Sequence, residues 1–498
     1  MSDTVPPARI RPLNARPLNT SGTLVLYWMT TARRLRWNFG LQRSVDLSLQ
    51  LQRPLLILEG LEVDYPWASD RLHRFILDGM AANARDAASA GVAYHPYVEP
   101  EPGHGRGLIA ALSAHACVVV TDHYPAFFIP RITKAAAEKS STRFEAVDSN
   151  GLLPLALHGR AFSSARSFRA FVQRELRPQL HSFPEERPLS RLRPSASFRG
   201  LPAEIRERWP AASATLLRRG ASLAHLPIDH DVLPVPLHGG GDSATERLNG
   251  FLDESLPRYA DGHNHPDDDC TTRLSPYLHF GHISAHEVFS ALMSRERWTS
   301  RRLAPRGGGA REGWWGVGAS ANILLDQLVV WRELAFNGCE WIEDYFRAET
   351  LPAWALETLR DHADDQRPRY QFEALDSAAT KDEIWNAAQR QLVQEGWFHG
   401  YLRMLWGKKI LEWAPDPQTA LNWMEALMNR YSLDGRDPVS WASFTWVLGR
   451  YDRPWPRRPV FGTVRAMSSA STRRKLRMKR FLETYGDTAA ARRELAEP

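Results

Sequence analysis

Between Thr23 and about Asp148 the chain alternates short unbroken apolar runs with longer stretches in which apolar residues recur every three or four positions. The short runs LVLYW (24–28), PLLILEG (54–60), GVAYH (91–95), ACVVVTD (116–122) and FEAVD (144–148) predict buried strands. The periodic stretch SDRLHRFILDGMAANARDAASA (69–90) predicts a helix between them. Strand and helix in alternation point to a Rossmann-like α/β domain with a largely parallel sheet over 23–180. No GxGxxG follows the first run, so a dinucleotide fingerprint is missing there.

Residues 181–241 are rich in Pro, Arg and Ser and read as a connector with little regular structure. From 242 to 498 the pattern is helical, with RLAPRGGGAREG (302–313) as a loop between helices. The first 22 residues carry arginine and proline without an apolar core segment, so they read as a mobile tail and not as a signal peptide.

One helical stretch breaks the usual amphipathic logic. In GWFHGYLRMLWGKKILEW (396–413), a turn of about 100° per residue puts His399, Arg403, Trp406, Ile410 and Trp413 on one stripe. A buried arginine needs a partner for its charge and hydrogen bonds. Nothing on that face supplies one, so the helix is expected to meet something else. Gly396, Gly400 and Gly407 would let a bulky planar group come close.

Composition narrows the partners. The net charge of +6 and pI near 9.2 suit a polyanion without demanding one. Of 18 tryptophans, 14 lie at or after Trp298, so aromatic surface is concentrated in the helical half. Cys117, Cys270 and Cys339 are far apart, which argues against disulfides and thiolate metal sites and for a reducing compartment. No run approaches the roughly 18 apolar residues of a membrane span. A cytoplasmic monomer is expected.

Candidate chemistry sits in four segments. In YADGHNHPDDDCTTRLSPYLHFGHIS (259–284), Thr271, Thr272 and Ser275 precede a helix, where they can cap it or hold phosphate. The spacing of His263, His265 and Asp267 to Asp269 fits no metal template, and a solvated loop is expected. In LLDQLVVWRELAFNGCEW (324–341), Gln327 and Trp331 are one turn apart and can face one cavity, although a plain core tryptophan is the alternative. The third segment runs from Ile384 through Trp413. In the fourth, 429–462, DGRDP is a turn with Asp434 and Asp437 as caps, or with a carboxylate accepting from a ligand's ring N–H. Trp446, Trp455 and several arginines follow, an interleaving that stacks extruded bases and holds phosphates.

Taken in order, LSPYLHFG, WNAAQ, LRMLWGKKILEW and LDGRDP resemble the class II cyclobutane pyrimidine dimer photolyases, within the photolyase and cryptochrome superfamily. The match is densest from Tyr259 to about Met467. The resemblance implies an all-helical domain holding FAD, active as reduced anionic FADH⁻, facing DNA that contains a cyclobutane pyrimidine dimer. It implies light-driven electron donation to the dimer, with the chemistry carried by the cofactor. Tyr259 and the run Thr271, Thr272, Arg273, Leu274 and Ser275 match positions that hold FAD. Arg403 matches the arginine beside the flavin ring, and Asp434, Gly435 and Arg436 the turn at its polar edge. Trp406, Trp385 and Trp413 match an electron path, which Tyr370 would extend. Trp331, Met404, Trp446 and Trp455 match the pocket for the flipped dimer; His263, Asn264, Asp452 and Arg453 match loops that touch DNA. A second, antenna chromophore is common in the family, and its identity is not readable here.

The chain departs from the family in one neighbourhood. Gln327 replaces a glutamate that hydrogen-bonds the dimer, and glutamine cannot supply a proton. A gapless match puts Met428 where the family has an asparagine beside the flavin N5; a shift of one residue would put Asn429 there. After DGRDP the family's Asn-Gly-Tyr is Val439, Ser440 and Trp441, and an arginine has become His263. These changes leave a second expectation, a cryptochrome-like flavin photoreceptor with weak or no repair.

Overall fold

The computed structural model describes residues 4–193, 198 and 200–487. Six strands form one sheet in the order β1-β6-β5-β2-β3-β4: β1 (Ile10–Pro12), β2 (Leu24–Met29), β3 (Leu55–Leu61), β4 (Ala93–Val98), β5 (Ala116–Asp122) and β6 (Arg143–Val147). All neighbours are parallel except β1 and β6. β2 is central, with Tyr27 opposite Ile57 on one side and Val120 on the other. The two-residue period of a strand divides its side chains. Val25, Tyr27 and Met29 pack with the helix Phe39–Leu51, while Leu24, Leu26 and Trp28 pack on the other face with Leu108 and Leu112. Both faces are covered, which is why these strands are unbroken apolar runs in sequence.

The expected tail is a correction. Among its described residues, Val5 and Arg9 are buried, and Ile10–Pro12 is an edge strand antiparallel to β6. Arg9 donates to the carbonyls of Asp148 (3.1 Å) and Leu152 (2.8 Å) and lies over the Phe39 ring. An edge strand tolerates Pro12, and a buried arginine with carbonyl partners looks polar in sequence, so composition hid both. The connector does carry short helices, Ala203–Arg208 and Ala214–Leu217, and Trp209 seals the sheet's second face.

Beyond the connector the described chain forms helices and no further strand. The halves share a core in which Leu72, Phe75 and Leu77 of the helix Asp70–Ala90 pack with Tyr277, Phe280 and Leu324. Arg71 of that helix donates to the carbonyls of Tyr431 (2.6 Å) and Val393 (2.7 Å). The α/β half thereby props two turns, one before the helix Gly400–Trp413 and one after the helix Pro417–Tyr431. No helix among the described residues is long and apolar enough to cross a membrane.

Candidate functional site

The arginine among indoles has a partner in the chain. Arg403 donates from Nη2 to Asp434 Oδ2 at 2.9 Å and from Nε to the Phe398 carbonyl at 3.1 Å. Burial alone would push the Asp434 carboxyl up. The Arg403 charge and hydrogen bonds from Arg403, Ser275 and Ser432 outweigh it and hold the group below the usual carboxylate range, so it is ionised. The expectation that nothing supplies Arg403 is corrected: its partner lies 31 residues downstream, beyond what helical periodicity can see. His399 is also not in the helix proper, since it caps the first turn by accepting from Tyr401 N.

The LDGRDP turn divides its labour. Arg436, at φ 63°, ties the turn to itself by donating to the carbonyls of Asn429, Ser432 and Leu433. A side chain at Gly435 would fall 2.7 Å from the Met428 carbonyl. These two residues build the turn that presents Asp434. Asp437 caps the helix Pro438–Val447 and accepts from Tyr124 of the α/β half at 3.1 Å. Gly407 serves packing too, because a side chain there would meet Val447 at 2.6 Å.

The 259–275 segment forms the facing wall. Tyr259 is buried with its ring 5.3 Å from Phe251 and 5.1 Å from His263. Arg273 lies over Trp397 at 4.6 Å and reaches Glu395 at 3.3 Å, which joins this wall to the approach of the Arg403 helix. Of the candidate capping hydroxyls, Thr272 Oγ1 accepts from Leu274 N at 3.2 Å, one residue ahead of the helix. Leu274, a core residue, occupies the N-cap of Ser275–His279, and the carbonyls of Thr271 and Thr272 accept from Arg247. The acidic loop is likewise no free loop: Asp267 accepts from the N–H groups of Arg480 (3.1 Å) and Phe481 (2.9 Å), and Asp268 pairs with Arg477.

Several buried polar atoms on these walls have no partner among the described residues: Thr271 Oγ1, Arg273 Nε, His399 Nε2 and Asn429 Nδ2. For two of them the protons can be placed. His399 Nδ1 accepts from Tyr401 N at 3.3 Å, so the ring proton is on Nε2. Burial, aided by His263 and Arg403, lowers its pKa to about 4, so the ring is neutral. Asn429 Oδ1 accepts from Arg436 N at 2.7 Å, which turns Nδ2 away from that bond. Both present bare N–H donors, and a buried unmade hydrogen bond costs about 1–3 kcal/mol. Met428, by contrast, is packed in the apolar cluster that contains Trp406 and Phe398.

From Trp406, in the Arg403 helix, the aromatic rings form an unbroken series. Trp406 and Trp385 are parallel, with centroids 6.2 Å apart and planes within 3°. Trp385 meets Trp413 at 5.3 Å, and Trp413 meets the half-buried Tyr370 at 5.0 Å. The three indoles are almost fully buried.

No family model matches the chain. A deoxyribodipyrimidine photo-lyase from Methanothermobacter thermautotrophicus is 30% identical over 481 residues, covering 95% of this chain and 97% of the relative. The chain belongs to the photolyase family. A photolyase of the same description from Arabidopsis thaliana is 30% identical over 494 residues, covering 96% of this chain and 92% of its own. Two solved photolyases share the fold. A class III photolyase from Agrobacterium tumefaciens has a TM-score of 0.66 at 19% identity over 95% of this chain and 87% of its own. An archaeal photolyase from Sulfolobus tokodaii, solved with two FAD molecules, has a TM-score of 0.61 at 16% identity over 92% and 88%.

A π-helical stretch, Asp326–Trp331, lies between the helices Ala319–Leu325 and Arg332–Trp341. Such bulges re-aim side chains and recur at functional sites. Gln327 is exposed there, and Trp331 is half-buried. Met404 and Trp446 are half-buried as well. Asp452 accepts from Arg465 Nε (2.9 Å) and Nη2 (3.2 Å) and from Trp455 Nε1 (3.2 Å). Arg465 lies 4.1 Å over Trp455 and 5.4 Å over Trp446, and exposed Arg453 lies 5.5 Å over Trp455. Behind Trp446, Lys408 is fully buried, donates to the Val447 carbonyl and stands 5.1 Å from the indole. Burial lowers its pKa to about 7. Sequence reasoning missed Arg465 and Lys408, because a lone Arg and one Lys of a Lys-Lys pair carry no signal until folding brings Asp452 and Trp446 to them. His263 and exposed Asn264 hydrogen-bond each other at 2.9 Å on the same wall as Tyr259.

Proposed function

We propose that the chain is a light-dependent DNA repair lyase of the class II type, which binds FAD between the Arg403–Asp434 pair and the 259–275 wall and splits cyclobutane pyrimidine dimers. The observation that carries this reading is the ionised Arg403–Asp434 pair bordered by bare donors on His399 and Asn429, with the indole series leading away from it. Near-full-length similarity to proteins named deoxyribodipyrimidine photo-lyase supports the reaction class.

FAD in its reduced anionic form would supply, on excitation, the electron that opens the cyclobutane ring. Arg403, beside Asp434, retains charge to place against an anionic ring. Asn429 and His399 offer N–H groups to acceptors on the cofactor. Trp406, Trp385 and Trp413 pass an electron inward when the cofactor is oxidised. Trp331, Met404 and Trp446 enclose a dimer drawn out of the stack, an extrusion that costs a few kcal/mol and less for a damaged pair. Arg453 and Arg465 meet the phosphates, and Trp455 gives a displaced base a surface.

At the carboxyl ends of β2 and β5, Asp122 accepts from Tyr27 and from the N–H groups of Thr30, Thr31 and Ala32 at 2.6–2.9 Å. The adjoining cavity of about 20 Å³ has room for about one water.

A photoreceptor without repair is the second reading, favoured by Gln327, which stands exposed where the family uses an acid. Illumination of the reduced, FAD-loaded protein with thymine-dimer DNA under near-UV or blue light separates the two. Loss of dimers is expected; dimers persisting beside a full flavin spectrum would leave the photoreceptor.

A further inference from the structure

Residues 473–480, RRKLRMKR, carry six cations and no acid. The whole chain has 63 Lys and Arg against 57 Asp and Glu, so its net charge of +6 equals the charge of this one run. The run is fixed by its apolar side: Thr472, Leu476, Met478 and Phe481 are buried, while the six cations are exposed. Helix electrostatics explain only part of it. Arg473, Arg474 and Lys475 close the helix Ser469–Lys475, where cations suit the dipole, but Lys479 and Arg480 open the helix Lys479–Tyr485, where the dipole opposes them. Ion pairs within the chain explain another part. Arg477 pairs with Asp268 and Arg480 donates to the Asp267 carbonyl, which ties the run to the segment 259–275. The pairs Arg473–Glu383 and Lys479–Glu483 (3.9 Å) have both partners exposed, so they are worth little and are open to exchange. Arg474 and Lys475 have no carboxylate partner among the described residues.

Two contacts say where the run faces. Lys475 Nζ stands 5.3 Å over the Tyr401 ring. Tyr401, Met404 and Lys408 are three and then four residues apart on the helix Gly400–Trp413, hence on one stripe, and Lys408 stands over the Trp446 indole. At the other end Arg477 N donates to His265 Nδ1 at 3.1 Å, beside the pair His263 and Asn264. We propose that the exposed cations of 473–480, Arg474 and Lys475 foremost, form a second DNA contact, which takes the phosphates of the duplex flanking the dimer. The proposal rests on the repair reading above, which puts Met404 and Trp446 at the dimer. Duplex DNA carries one negative charge per about 1.7 Å of its axis, so closely spaced cations on a rigid base suit its backbone. Such contacts position the duplex without reading its sequence.

The test uses the full-length, FAD-loaded protein, with Arg474→Ala and Lys475→Ala combined as the variant and Arg474→Lys and Lys475→Arg combined as the conservative control. One probe is a long duplex with a central thymine dimer. The other is a single-stranded oligonucleotide that ends at the phosphates of the dimer itself. The alanine variant is expected to bind the duplex about tenfold more weakly and to lower its salt slope by about two units, one for each charge removed. The control should keep the wild-type affinity and slope, and the short probe should bind all three proteins alike. FAD content and thermal midpoint should not move, since both side chains are exposed. Unchanged duplex affinity and slope in the alanine variant overturns the proposal. Equal weakening of both probes overturns it as well, since the cations would then act at the dimer and not beside it. A wild-type protein that binds neither probe would instead sink the repair reading.

Discussion

Arg403 and Asp434 meet at 2.9 Å across 31 residues, and they join the helix Gly400–Trp413 to the LDGRDP turn. Asp434 is almost fully buried while about a fifth of the Arg403 side chain is exposed, so the pair is anchored on the acid and open on the base. Asp434→Asn removes the charge that keeps Arg403 in place. Because Arg403 is partly solvated, the expected cost is about 1–2 kcal/mol, below that of a fully buried broken pair. Thermal melting of the apo-protein should drop modestly, and FAD retention after gel filtration should drop sharply. Retention at the wild-type level would remove the pair from the cofactor site.

The indole series gives an ordered expectation. Trp406→Phe and Trp385→Phe interrupt adjacent steps of a path whose rings are 5.0–6.2 Å apart. Both should slow photoreduction of oxidised flavin by more than tenfold in flash absorption, and chemically pre-reduced enzyme should repair normally. Tyr370→Phe, at the half-buried end, should slow it less. Unchanged photoreduction in Trp385→Phe would remove that tryptophan from the route.

At the DNA face, Asp452 holds Arg465 and Trp455 together, and the cations sit over the indoles. Asp452→Ala should release both and weaken binding of dimer-containing DNA about tenfold, or 1.4 kcal/mol, with FAD content unchanged. Arg453→Ala, which removes an exposed charge, should weaken dimer-containing and undamaged DNA alike and lower the salt slope by about one unit. A variant that loses affinity for the dimer alone would place Arg453 in lesion recognition.

Much of this was legible because it is local. The continuous runs of β2, β3 and β5 fixed the sheet, and the order of four short motifs fixed the helical walls. What was not legible depends on contacts across the chain. Arg9 and Ile10–Pro12 read as a tail because their partners, Asp148 and β6, are more than 130 residues away. Arg403 read as unpaired for the same reason. The packing of Gly407 against Val447 and of Gly435 against the Met428 carbonyl was not legible either, because a glycine that admits a ligand and one that admits a neighbouring helix look alike in sequence. Asp267 and Asp268 gave no hint of the helix Lys479–Tyr485 that they anchor.

Glu333 offers a stability test away from the site. It is buried between the halves and accepts from Leu152 N (2.7 Å) and Leu153 N (3.2 Å). Burial raises its pKa from 4.5 to about 7, against the opposing pull of those two N–H groups and of Arg332 and Arg9. A raised carboxyl binds a proton in the folded state that the unfolded chain has already released between pH 4.5 and 7. Its contribution is therefore whole below pH 4.5 and is lost as pH rises toward 7. Glu333→Gln cannot ionise but leaves one N–H without an acceptor, a loss that does not vary with pH. The stability of wild type minus that of Glu333→Gln should fall by about 1–3 kcal/mol from pH 4.5 to 7 and level off above it. Denaturant midpoints at matched ionic strength would show this. A difference that stays flat across that window would mean that Glu333 is ionised throughout, held by its two backbone donors.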